Sequence, residues 1–122
     1  MGIEFEEDTP NVVTEARLRQ LLAKGYQAEV VCRTDPERKH GTWYGDWIVR
    51  AVDEERTVER VLVTVPRHAR KADEIEPRVF RTLNGLFSFM LQVGFTHVHI
   101  PCHRGGRSAQ ALPSDVVDTD NN

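Results

Sequence analysis

Thr82-Leu83-Asn84-Gly85-Leu86-Phe87-Ser88-Phe89-Met90-Leu91-Gln92-Val93-Gly94-Phe95 carries the signals that begin, fill and stop an amphipathic helix. Thr82 suits the N-cap, Leu83, Leu86, Phe87, Met90 and Leu91 recur at helical spacing, and Phe89 and Val93 widen the stripe. Gly94 suits a left-handed stop, after which Phe95 folds back on the last turn. A helix this apolar must be covered by other elements, and the sequence before it supplies them.

Tyr26 to Arg33 alternates, with Tyr26, Ala28, Val30 and Cys32 on one side and Gln27, Glu29, Val31 and Arg33 on the other. Thr42 to Val52 alternates again, and a third strand with Val61, Val63 and Val65 on one face follows the polar Asp53-Glu54-Glu55-Arg56 turn. Thr34 to Gly41 is polar, contains Pro36 and Gly41, and reads as a loop. Upstream, Thr14 caps a helix over residues 15–24 that Gly25 ends, with Val13 and Leu18 placed as a hydrophobic staple. Thr96 to Ile100 reads as a last short strand before Pro101.

The predicted fold is α+β in the order α-β-β-β-α-β: two layers, an antiparallel sheet of three to four strands on two helices. At 122 residues the chain has room for one core. Residues 11–101 are read as that domain, 1–10 as an acidic flexible N-terminus, and 102–122, with Gly105-Gly106 and Pro113, as a flexible tail. No apolar run is long enough to span a bilayer, and Met1 to Pro10 is acidic where a secretory signal would be basic and then apolar, so the expected location is cytoplasmic, with Cys32 and Cys102 as reduced thiols.

Charge is unevenly spread. Four acids lie in the first ten residues and Asp115, Asp118 and Asp120 near the end, whereas residues 11–107 hold all 16 lysines and arginines against 12 acids, an excess of +4. Within that body Arg67, His68, Arg70 and Lys71 form a cluster, and Arg78 and Arg81 flank the entry to the second helix. Together with Trp43, Tyr44 and Trp47 on the second strand, these basic residues are the candidate binding surface for nucleic acid or a DNA-bound protein. The alternative is a protein-interaction adaptor or homodimer that pairs through an exposed sheet face.

Chemistry-bearing residues are few. His97, His99, Cys102 and His103 lie within seven positions, and two histidines two apart on a strand share a face as zinc ligands do, but Pro101 redirects the chain before the other two. The segment Cys102-His103-Arg104-Gly105-Gly106-Arg107-Ser108 resembles the phosphate loop of cysteine-dependent phosphatases but has four residues between Cys and Arg where that family has five, and no helix can follow it before Pro113. Asp46 is explained by a cross-strand partner such as Arg33 or Arg60. No complete catalytic constellation or cofactor is expected.

Pro77 to Leu83 and Gly94 to Ile100, with Lys24-Gly25-Tyr26, resemble small accessory proteins carried by bacterial plasmids and integrative elements. That resemblance implies a regulatory or accessory role in maintenance or transfer of the element, with no catalytic residue to carry over.

Overall fold

A long antiparallel hairpin organises the molecule in the computed structural model, which describes residues 11–64 and 75–113. Its arms are β2 (Gln27–Lys39) and β3 (Thr42–Val52), in register from Gln27 opposite Val52 to Lys39 opposite Thr42. The segment expected to be a loop is strand almost to its end. Two residues turn the chain, His40 and Gly41, at φ of 54° and 82°, and positive φ at both positions matches the right-handed twist of the arms. Pro36 is accommodated inside β2 because the register shifts between Thr34 and Glu37, so the missing N–H falls at an irregularity.

Two strands share the far edge of β3. β4 (Glu59–Thr64) pairs with its C-terminal half, Arg50 opposite Val61, and β6 (Phe80–Thr82) with its N-terminal half, Trp47 opposite Phe80. The sheet grows at both margins. β1 (Val12–Val13) adds to β4 in parallel, β5 (Glu76–Pro77) pairs with β4, and β7 (Arg107–Gln110) pairs antiparallel with β2, Ala28 opposite Gln110.

The α+β class holds, but the sheet is mixed and, among the described residues, seven-stranded. The last strand is β7, inside the stretch expected to be a tail, and Thr96–Ile100 forms no strand. Arg107–Gln110 has no apolar alternation to betray it. It is placed by main-chain bonds, Gly105 N–H to Cys32 O at 2.8 Å and Cys32 N–H to Gly106 O at 2.9 Å, which continue into the ladder with β2. Residues 1–10 and 114–122, read as acidic flexible ends, lie outside the described residues.

Both helices begin and end where their signals lie. In α1 (Glu15–Ala23) the Thr14 hydroxyl accepts from Arg17 N–H, and in α2 (Leu83–Val93) the Thr82 hydroxyl accepts from Gly85 N–H. Phe95 N–H donates to Met90 O and its ring is buried, closing the C-terminus of α2. Helix and sheet residues join in one cluster that includes Leu18, Leu22, Val30, Val49, Leu62 and Met90, so both helices lie on one sheet face. The buried stripe of α2 is Leu86, Phe89 and Met90; Phe87 and Leu91, expected within it, remain 43% and 44% exposed. No described helix is long and apolar enough to cross a membrane.

Candidate functional site

Among the described residues no helix lies on the opposite face of the sheet, and strand alternation decides what it carries. With Ala28, Val30 and Cys32 of β2 and Trp47, Val49 and Ala51 of β3 in the core, Glu29, Val31, Arg33, Asp46, Ile48 and Arg50 project the other way. Val31 and Ile48 are directly opposed at its centre, flanked along the strands by Arg33 with Asp46 on one side and Arg50 with Glu29 on the other. Arg107 of β7 sits opposite Val31, so the apolar pair is ringed by guanidinium groups.

Glu29 is 3% exposed, buried beneath arginines. Its carboxylate lies 2.7 Å from Arg50, 2.8 Å from Arg56 and 3.8 Å from Arg107, and Glu59 adds contacts to Arg50 and Arg56 at 3.3 and 3.5 Å. Burial alone would raise the Glu29 pKa, but the hydrogen bond from Arg56 and the charge of Arg50 outweigh it and hold the carboxyl below the usual glutamate range. The same hydrogen bond raises the Arg56 pKa. A second group joins Arg33 to Asp46 through a two-point contact at 2.7 and 3.3 Å, with Arg81 4.0 Å away.

Between these groups lies a cleft of about 340 Å³ lined by Val31, Ile48, Arg33, Arg50, Arg104 and Arg107, among others. Arg104 is held there through its main chain, whose N–H donates to Asp35 at 2.7 Å. Its guanidinium has no ion-pair or hydrogen-bond partner among the described residues. Six arginines (33, 50, 56, 81, 104 and 107) thus stand among five carboxylates, Glu29, Asp35, Asp46, Asp53 and Glu59, an excess of one positive charge.

The expected binding residues are scattered by the fold. Trp47 is a correction: it is fully buried and its indole N–H donates to Pro101 O at 2.9 Å, so it belongs to the core and to no exposed platform. Arg78 packs on the helix side of the sheet, its guanidinium 5.0 and 4.8 Å from the Phe80 and Phe89 ring centres and 3.0 Å from Glu15. Arg81 reaches the open face beside Asp46, and Tyr44 is exposed. Trp43, also exposed, lines a different groove on the helix side with Leu83, Phe87, Val98 and Ile100. Arg67, Arg70 and Lys71 lie outside the described residues.

The His/Cys segment is taken up by the edge strand. The buried Gln110 amide accepts from His99 N–H at 2.8 Å and donates to His99 O at 2.9 Å, standing in for a neighbouring strand. Among the described residues no group of three His, Cys, Asp or Glu side chains is arranged to hold a metal ion. Cys32 and Cys102 are free thiols, and burial raises the pKa of Cys32.

Arg50, Arg104 and Arg107 were missed by sequence reasoning. Arg50 was legible, since it shares the strand face of Asp46 and Ile48, but Arg104 and Arg107 sat in the presumed tail. No protein-family model, curated protein or solved structure matches this chain.

Proposed function

We propose that this protein is a non-enzymatic accessory module that binds nucleic acid through the open face of its sheet. The observation that carries this reading is the arginine excess around the Val31–Ile48 pair, with Arg104 free to meet a phosphate. Arginine suits the task because its planar fork meets phosphate oxygens in pairs and its stem packs on apolar surface. The reading is non-enzymatic because the two thiols, the best local nucleophiles, donate to main-chain carbonyls, Cys32 to Thr34 O and Cys102 to Ile100 O, and burial raises the pKa of Cys32. A titration with a mixed-sequence oligonucleotide at 50 and 200 mM salt tests it: affinity should fall as salt rises, and absence of binding at tens of micromolar protein at the lower salt would sink it.

A second reading rests on the helix side. Trp43 and Phe87 remain exposed beside Leu83, Val98 and Ile100 in a groove of about 610 Å³, which suits an apolar protein partner or a second copy of the chain. Light scattering at high protein concentration separates the self-associating form of this reading from a monomeric nucleic-acid binder.

A further inference from the structure

From the shape of the open face and the arrangement of its charges, we infer that the ligand is a single-stranded nucleic acid rather than a duplex; this rests on the nucleic-acid reading above. In a duplex the bases are stacked inward, and reading them takes an element that enters a groove, such as a helix or a two-stranded ribbon. Here α1 and α2 are both committed to the other face, where Leu18, Leu22, Leu86 and Met90 are buried, and the exposed tip of the β2–β3 ribbon carries Asp35 and Glu37 against Arg38 and Lys39, no net charge to draw it into a phosphate-lined groove. Among the described residues the arginine cleft is built on the surface of β2, β3 and β7, and its lining residues rise from the plane of the sheet.

Such a surface fits a strand laid across it. Arg33 and Arg50 bracket the Val31–Ile48 pair from opposite ends, each about two residues along its strand, a spacing of roughly 7 Å. Arg107 and Arg104 close the β7 side. Phosphates can meet the free guanidinium of Arg104 and the loosely held one of Arg107, 3.8 Å from Glu29, while unstacked bases lie on the guanidinium planes of Arg33 and Arg50, which Asp46 and Glu29 hold in place. Two guanidiniums left for phosphates are few for a protein gripping duplex phosphates alone. They predict a shallow salt dependence, a slope of roughly −1.4 in log K against log salt for a single strand, with the remaining affinity coming from base contacts.

The decisive experiment is fluorescence anisotropy of the full chain with a labelled 12-nucleotide single strand, the same sequence as a duplex, and an abasic strand of equal length. The single strand should bind at least tenfold tighter than either of the others, and Arg104→Ala/Arg107→Ala should weaken it at least tenfold with the melting temperature little changed. If the double variant does not fold, Arg104→Glu alone serves, because that side chain has no partner to lose among the described residues. Equal or tighter duplex binding overturns the single-strand inference and leaves the nucleic-acid reading standing. Equal binding of the abasic strand also overturns it, since charge alone would then account for the affinity. No salt-sensitive binding to any of the three removes both readings.

Discussion

Gly45 shows how one residue sets the core beneath the open face. A Cβ at this position would lie 2.7 Å from two carbons of the Trp47 ring, and that indole is buried and anchored to Pro101, so it has nowhere to retreat. Gly45→Ala should cost about 1–3 kcal/mol in a urea melt, the range for overpacking a core; an unchanged midpoint would mean the indole can shift. Glu29 makes the opposite kind of prediction, because stability and binding should move in different directions. Its folded-state pKa is depressed, so its stabilisation is present above the ordinary glutamate pKa of about 4.3 and is lost as pH falls through the lower folded value. Glu29→Gln should therefore lower stability at neutral pH by roughly 2 kcal/mol and flatten the acid limb of the stability profile. The same change leaves one more uncompensated arginine charge and should tighten binding of an anionic strand. Looser binding in a folded Glu29→Gln protein would show that the carboxylate's hold on Arg50 and Arg56 matters more than the charge it cancels.

At the scale of elements, local signals served the helices and failed the edge. Thr14 and Thr82 cap where their sequence positions indicate, because a cap depends on a few adjacent residues. The β2–β3 turn was hidden because Pro36 and the charges around it look like a loop, whereas the partner strand holds them extended. β7 carried still less signal: two of its contributions, the ladder with β2 and the Gln110 bonds to His99, exist only once distant segments meet. Gln110→Ala removes both bonds to His99 and should lower stability by about 1–3 kcal/mol. Hydrogen exchange at the His99 amide gives the local readout, with faster exchange expected and no change contradicting the assigned role. The α2 stripe shows a subtler limit, since helical periodicity alone does not say which of two overlapping apolar faces the sheet will take; it took Leu86, Phe89 and Met90 and left Phe87 and Leu91 outside.

The whole molecule divides its surfaces by chemistry, with both helices and an apolar groove on one side of the sheet and an arginine-rich face on the other. The mildly basic body was legible from charge counting, and the loss of Trp47 from the aromatic platform was not, because burial of Trp47 depends on packing that no local pattern reports. The acidic segments at either end carry a prediction of their own at this scale: they compete with the ligand for the basic body. Because β7 runs to Gln110, the truncation that tests this must remove residues 1–10 and 114–122 and spare the strand; tighter oligonucleotide binding is expected, and unchanged affinity would contradict the competition. The central claim, that the open sheet face binds nucleic acid, is tested most directly by an anisotropy titration of the full chain against a single-stranded oligonucleotide, beside the Arg104→Ala/Arg107→Ala protein. The account predicts salt-sensitive binding that falls at least tenfold in the folded double variant; equal binding by the two proteins would contradict it.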